Sequence, residues 1–269
     1  MRVAIAGSGG RMGQTLIEAV LGTPGFALAG ALEVAGSEFL GHDAGERFGR
    51  TTGATVAADI AGALRGSDVL IDFTRPAGTL THLAECARAK VGAVVGTTGL
   101  SEADRRALAE FARTIPIMFA PNMSVGVTVL TRLVEEAAQR LGDDYDVEIL
   151  EMHHRHKVDA PSGTALKLGE AAATALKRNL ETDGVYARHG VTGERKPRSI
   201  GFATLRGGDV VGDHTVIFAG AGERVELTHR ASSRMTFAQG ALRAARFVAA
   251  KRAQGATGLF DMQDVLGLR

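Results

Sequence analysis

A chain of 269 residues exceeds what one hydrophobic core usually organises, so two domains, or one domain with a large insertion, are expected. Its 45% hydrophobic and 23% charged content is that of a folded globular protein, and a net charge of +1 excludes a global field that would draw nucleic acid or an anionic membrane. The single cysteine, Cys86, excludes an internal disulfide and points to a reducing compartment.

The start Met1-Arg2-Val3-Ala4-Ile5 lacks the features of a secretory signal, and no apolar run approaches bilayer length, so a cytoplasmic protein is expected. Residues 3–6 form a short apolar run that ends in glycines, the pattern of a central parallel strand covered on both faces. From Met12, apolar residues recur at helical spacing through Leu16, Ile17, Val20 and Leu21, until Gly22 and Pro24 stop the helix. The unit repeats, with further strands at 26–32, 69–73, 93–95 and 115–120. Helices are expected at 79–90, where Cys86 reads as a buried structural thiol, and at 101–113, where Ser101 and Asp104 are spaced as a capping box. Strands alternating with helices predict a doubly wound parallel sheet.

After Ser124 the texture changes. An amphipathic helix at 125–141 leads to a strand at 147–152, a basic run, and a helix that begins near Ser162 and ends at about Leu176. Residues 182–198, rich in Gly, Arg and Glu, are the best candidate for a mobile loop. β-rich stretches at 200–206, 209–218 and 224–229, separated by Gly207-Gly208 and by Gly220-Ala221-Gly222, predict consecutive antiparallel hairpins. A last helix at 235–251 has an alanine-rich face suited to packing back on the first domain. The predicted organisation is therefore an α/β chain, with a parallel-sheet domain from 1–124 and 235–269 and an inserted α/β domain with a mixed, largely antiparallel sheet at 125–234.

Between the first strand and helix lie Gly7, Ser8, Gly9, Gly10, Arg11, Met12 and Gly13, where bare backbone can approach a pyrophosphate at a helix N-terminus. The spacing is GxxGxxG, because Met12 occupies the third position of the usual GxGxxG. Glu33, at the end of the second strand, is placed to accept hydrogen bonds from an adenosine ribose. A glycine-rich turn without a ligand is the alternative. Gly96-Thr97-Thr98-Gly99 and Ala120-Pro121-Asn122-Met123 follow later strands at the sheet's carboxyl edge, where cofactors bind; each is equally readable as a plain turn.

His153-His154-Arg155-His156-Lys157 puts five basic side chains in succession, a cluster suited to a small polyanion. If the run continues the preceding strand, His153, Arg155 and Lys157 face one side and His154 and His156 the other. Zinc is disfavoured by the neighbouring cations, and a nucleic-acid patch by the absence of interleaved aromatics; a solvated basic loop remains open. Ser162, Gly163 and Thr164 then open a helix, either as a simple cap or as hydroxyl and N–H donors to a carboxylate. With the basic run they read as a receptor for a small dicarboxylate.

Val3-Ala4-Ile5-Ala6-Gly7 with Gly10-Arg11-Met12-Gly13, Ile71-Asp72-Phe73-Thr74, Gly96-Thr97-Thr98-Gly99 and, above all, EMHHRHKVDAPSGT at 151–164 closely resemble the dihydrodipicolinate reductase family, over nearly the whole chain. The resemblance implies a Rossmann domain built from both chain ends, a central substrate-binding domain and a homotetramer assembled through the central sheets. It also implies reduction of a cyclic imine dicarboxylate by NADH or NADPH in lysine and diaminopimelate biosynthesis. His153 then resembles the family's acid/base residue, Lys157 its proton donor, and His154, Gly163 and Thr164 its carboxylate binders. Val34 follows Glu33 where some members carry an arginine suited to a 2′-phosphate, so dual cofactor use or a lean toward NADH is expected, with Arg11 still available to that phosphate. The rivals are a reductase of another small dicarboxylate and a non-catalytic nucleotide sensor, which need not retain His153 and Lys157.

Overall fold

The computed structural model describes residues 1–269, which divide into two compact units, Met1–Val125 with Arg234–Arg269, and Gly126–Ser233. In the first unit the strands are β1 (Arg2–Ala6), β2 (Ala27–Leu32), β3 (Val56–Ala57), β4 (Val69–Asp72), β5 (Gly92–Val95), β6 (Pro116–Phe119) and, from the chain's far end, β12 (Gly258–Phe260). They form one sheet in the order β12-β6-β5-β4-β1-β2-β3, every pairing parallel. Period-2 alternation sorts β1 between the two faces. Val3 and Ile5 pack with α1 (Arg11–Gly22) and α8 (Met235–Ala253), through Leu16, Ile17, Leu242, Ala245 and Val248. Ala4 and Ala6 face the opposite core, where Leu64 of α2 (Ile60–Leu64), Leu83 and Cys86 of α3 (Pro76–Ala89) and Leu108 of α4 (Glu102–Phe111) are buried.

The strand order reverses about β1, between β2 and β4, so the loop leaving β1 sits at a topological switch point, where open α/β sheets bind ligands. The helix starts follow local chemistry. Ser101 Oγ accepts from Asp104 N at 3.2 Å while Ser101 N donates to the Asp104 carboxylate at 2.9 Å, the reciprocal box expected of that spacing. α3 begins three residues before the expected 79 because Pro76 fits the first helical turn, where its missing N–H leaves nothing unsatisfied. β3, β12 and the short α9 (Met262–Leu266) escape periodicity because two to five residues carry too few alternations to register.

The second unit holds a sheet in the order β11-β10-β7-β9-β8, from β7 (Asp146–His153), β8 (Gly184–Val185), β9 (Ile200–Arg206), β10 (Gly212–Ala219) and β11 (Arg224–Ala231). Helices α5 (Val125–Leu141) and α6 (Gly163–Ala175) contribute Leu130, Val134, Leu168 and Ala172 to a core with Val147, Ile149, Phe202 and Phe218; the short α7 (Leu180–Asp183) follows. The expected run of hairpins is only half present. β10 and β11 pair antiparallel, but β9 pairs with β7 in parallel and never with β10. β7, eight residues long and alternating, takes the centre of the sheet, β10 antiparallel on one edge and β9 on the other. Gly207 is therefore not a hairpin turn: its N–H donates to the carbonyl of His153 at 3.0 Å, extending the β7–β9 ladder. Strand periodicity reports which face is buried and is silent about the neighbour.

Residues 182–198 also depart from expectation. Residues 182–185 lie in α7 and β8, and the loop beyond is tethered by two arginines. Arg188 forms a two-pronged pair with Glu148, both bonds 2.8 Å, and Arg195 reaches Asp146 at 2.6 Å and Glu148 at 3.0 Å. Burial acts to raise the Glu148 carboxyl, but the two arginines outweigh it and hold the group below its ordinary value.

Candidate active site

The loop after β1 is shaped for an anion. Gly7 has φ +68°, and a Cβ on Gly13 would lie 2.0 Å from the Gly7 carbonyl, so the first turn of α1 approaches the loop backbone more closely than any side chain allows. Gly10 occupies the N-cap without a side-chain bond, and no acidic residue lies in the first turn, which leaves the helix's N-terminal N–H groups and dipole to a ligand phosphate. Ser8 is buried, its hydroxyl donating to the Leu32 carbonyl at 3.1 Å, while Arg11 is exposed and Met12 packs half-buried against the core. Glu33 accepts from Gly9 N at 2.8 Å and from Val34 N at 3.1 Å, so this carboxylate pins the loop. A cleft of about 350 Å³ beside Gly9 is lined by Ser8, Gln14, Phe39, His42 and Arg47. These residues fit a dinucleotide.

The other two loops are built differently from each other. Thr97 is buried, and its hydroxyl bonds to Thr79 at 2.7 Å and reaches Asp72 at 3.4 Å. Asp72 also accepts from Thr74 N and Oγ1 at 2.8 and 2.7 Å, and from His82 Nδ1 at 2.8 Å. The Thr97 side chain is thus internal, and what the loop offers a ligand is its backbone and the exposed Thr98. In the loop after β6, Ala120 and Met123 are buried, Pro121 is exposed, and Asn122 Oδ1 accepts from Ser124 N at 2.8 Å.

In the second unit the face of β7 that carries Val147 and Ile149 into the core continues as Glu151 and His153. An apolar stripe becomes a buried polar one. Glu151, 1% exposed, accepts from His153 Nδ1 at 2.6 Å, from Ser162 N at 3.0 Å and from Thr204 Oγ1 at 3.3 Å; Arg206 meets both its oxygens, at 2.8 and 2.9 Å. Burial acts to raise its carboxyl, but the donors led by Arg206 outweigh that and keep it below its ordinary value. His153 is pushed the other way. Burial lowers its imidazole, Glu151 opposes, and Lys157 and Arg206 add to the lowering, which prevails. His214, 5.1 Å from His153 ring to ring, is driven down to about 4 by burial and the neighbouring His153, and its Nε2 lies 2.9 Å from Ser162 Oγ.

The basic run does not extend the strand. β7 stops at His153, and residues 154–157 turn, with Lys157 N donating to the His154 carbonyl at 3.1 Å, so the expected alternation of faces is absent. Arg155 and His156 are exposed, which gives that part of the run the solvated character left open above. Nor do the cations stand alone: Glu151 faces His153, and Asp159 binds Lys157 Nζ at 2.7 and 2.8 Å. Ser162 caps α6, its Oγ accepting from Ala165 N at 3.1 Å, so both its hydroxyl and its N–H are engaged inside the protein. Gly163, exposed, and Thr164 follow as the first turn. Glu151, Arg206 and His214 were missed as site residues. Glu151 could have been found, because a charge two residues before His153 on the inward face of an apolar strand breaks the period-2 pattern.

Comparison with known proteins gives a consistent picture. A family model described as dihydrodipicolinate reductase, N-terminus, matches residues 1–123, and one described as dihydrodipicolinate reductase, C-terminus, matches residues 126–266. The chain is 60% identical over 269 residues to the 4-hydroxy-tetrahydrodipicolinate reductase of Cupriavidus taiwanensis, covering 100% of both chains. It is 59% identical to the enzyme of that name from Laribacter hongkongensis, covering 100% of this chain and 99% of the other. Among solved structures it resembles a dipicolinate-bound dihydrodipicolinate reductase from Paenisporosarcina sp. TG-14, with TM-score 0.75, 23% identity and 98% of each chain covered. An oxidoreductase from Agrobacterium radiobacter in complex with NAD+, L-tartaric acid and magnesium shares the fold at TM-score 0.59 and 13% identity, with 99% and 92% covered. The two family models, matched in order along the chain, and full-length relatives at this identity place it: the chain belongs to the dihydrodipicolinate reductase family.

Proposed function

We propose that this protein reduces 4-hydroxy-tetrahydrodipicolinate, a cyclic imine dicarboxylate, to tetrahydrodipicolinate with a nicotinamide cofactor, in lysine and diaminopimelate biosynthesis. The observation that carries the reading is a buried imidazole, His153, within the electrostatic reach of a lysine ammonium, Lys157, ahead of the Gly163-Thr164 helix start, in a chain 60% identical to a reductase of that name. When bound, the cofactor would supply a hydride; loss of the ring hydroxyl together with a hydrogen of the adjacent ring carbon, as water, leaves a double bond conjugated with the imine, and the carbon that carried the hydroxyl is the one that would receive the hydride. The electron pair moves toward the ring nitrogen, and one proton from the protein completes the reduction. Lys157 is the assigned proton donor and holds the anionic substrate, and a nearby cation lowers the barrier to this charge build-up. His153 is the acid/base partner. His154 and the α6 N-terminus, through Gly163 and Thr164, receive the carboxylates.

On the cofactor side, the α1 N-terminus with Gly10, Arg11 and Met12 is assigned to the pyrophosphate, Glu33 to the adenosine ribose, and the backbones of 96–98 and 120–123 to the nicotinamide half. A 2′-phosphate beside Glu33 meets a carboxylate and the uncharged Val34, which supports NADH use at least equal to NADPH use. A homotetramer is proposed through the sheet face opposite α5 and α6, which presents Leu150, Met152, Leu205 and Ile217. No helix is long and apolar enough to cross a membrane.

The test is a spectrophotometric assay of reduced-nicotinamide loss with freshly prepared substrate, comparing wild type with Lys157→Ala. Wild type turns over and the variant falls by at least about 100-fold, the range of a lost general acid. Near-normal turnover in Lys157→Ala would remove the catalytic assignment, and binding of NADH without oxidation would leave a sensor.

A further inference from the structure

Glu151 and Arg206 have no part in the scheme above, yet they are the most heavily bonded charges of the second unit's site. Glu151 lies opposite Thr204 of β9 and His214 of β10, and His153 lies opposite Arg206, so the two central rows of the sheet converge on one carboxylate. Resting on the function proposed above, we infer that Glu151 and Arg206 are positioning residues that hold His153 as its Nδ1–H tautomer, leaving Nε2 as the lone-pair nitrogen. The free Nε2 of His153 can then only accept a hydrogen bond in the resting enzyme, which leaves the proton that completes the reduction to Lys157.

The donor count decides the tautomer. Glu151 receives five hydrogen bonds within 3.3 Å, two of them from a guanidinium that is always charged, so its carboxylate is ionised and can only accept. The nitrogen 2.6 Å from it must carry the hydrogen. Arg206 has a second effect. An uncompensated carboxylate at that distance would hold His153 as imidazolium, but Arg206 shares the anion, and burial then prevails to keep the ring neutral. Of the other groups facing the ring, the cationic Lys157 adds to the lowering, and His214, neutral above about pH 4, adds no charge. Asp159 is engaged by Lys157.

The experiment is nitrogen-15 NMR of histidine-labelled protein at pH 7.5, with His153 assigned by the resonance lost in His153→Gln, together with steady-state kinetics of Glu151→Gln and Arg206→Gln. Wild type is expected to give the Nδ1–H pattern. Glu151→Gln is expected to lose that pattern and to lower kcat by about 10- to 100-fold, the range for removing a group that orients an imidazole, with the KM for NADH within twofold. Arg206→Gln, which frees the carboxylate, is expected to move the His153 titration up by about one pH unit or more. An Nε2–H pattern in wild type overturns the proposal, even if neither variant folds. So does a Glu151→Gln enzyme with kcat within twofold of wild type. The tautomer is read without turnover, so a wild type with the expected pattern and no imine reduction defeats the function and not the positioning.

Discussion

Lys157 and Asp159 form an ion pair two residues apart, Nζ lying 2.7 and 2.8 Å from the two carboxylate oxygens, with the Asp159 side chain 54% exposed. The ammonium assigned to the substrate is therefore satisfied internally, and a dicarboxylate has to displace Asp159 to reach it. An exposed pair of this kind is worth about 0–1 kcal/mol, so displacement is easy and measurable. Asp159→Asn is expected to lower the substrate KM by about two- to fivefold with little change in kcat. A raised KM in the variant would instead mean that Asp159 orients Lys157 for binding.

Acidification should destabilise the fold before carboxylates begin to titrate. Burial holds the His214 imidazole at about 4 in the folded protein, against an ordinary value of 6.5. A depressed histidine keeps the folded form neutral while the unfolded chain takes up a proton, so its contribution is complete above pH 6.5 and is lost as pH falls from 6.5 toward 4. The linkage is about 3 kcal/mol over that window. Glu151, also depressed, loses its contribution on acidification at lower pH. Urea unfolding at pH 7 and pH 5 measures the slope, and His214→Gln should flatten most of it; an unchanged slope would locate the proton uptake elsewhere.

Cys86 is completely buried in α3, and burial, with the charges of Asp72 and Glu85, pushes its thiol up. Native protein should therefore resist a thiol-specific disulfide reagent for hours and react with one equivalent once unfolded in urea. Rapid modification of the native state would place the thiol at the surface and contradict the packing of α3.

The parallel half of the fold was legible because its longer strands are short, buried apolar runs that alternate with helical segments, as at Val3 to Ala6, which ends in Gly7, and Val69 to Ile71. In the second unit the segments were legible and their neighbours were not. Nothing local to Ile200 to Arg206 records that it pairs in parallel with β7, since that choice depends on which strand occupies the centre. The same separation appears in the site. The basic run that holds His153 and Lys157 stood out by its chemistry along the chain, and the family resemblance singled those two out within it, whereas Arg206 and His214 reach Glu151 only through strand register, 55 and 63 positions later in sequence.

Val34 offers a direct handle on cofactor choice. Its side chain is 73% exposed, and the adjacent Glu33 faces the glycine loop through Gly9 N at 2.8 Å. A guanidinium at this position can form charge-assisted bonds to a 2′-phosphate, each worth about 1.5–3 kcal/mol. Val34→Arg is therefore expected to raise kcat/KM for NADPH relative to NADH by about tenfold, the gain appearing in KM and weakening with added salt. An unchanged ratio would place the 2′-hydroxyl away from residue 34.

Gly13→Ala tests the nucleotide loop on its own geometry. A Cβ there would sit 2.0 Å from the Gly7 carbonyl oxygen, and 2.8 Å from both the Gly7 carbonyl carbon and Ser8 Cα. All three are backbone atoms, so no side chain can rotate away, and either α1 or the loop must shift. A shift that relieves the clash moves the first-turn N–H groups relative to the Gly7 to Gly10 backbone, the two surfaces assigned to the pyrophosphate. Overpacking of this kind costs about 1–3 kcal/mol of stability, and the displaced donors should raise the NADH dissociation constant by at least about tenfold, or 1.4 kcal/mol. The binding of the dicarboxylate substrate, assigned to the other unit, should stay within about twofold in titrations done without cofactor. Equal weakening of both ligands would mean that the substitution unfolds the chain globally, and unaltered NADH binding would remove this loop from the cofactor site.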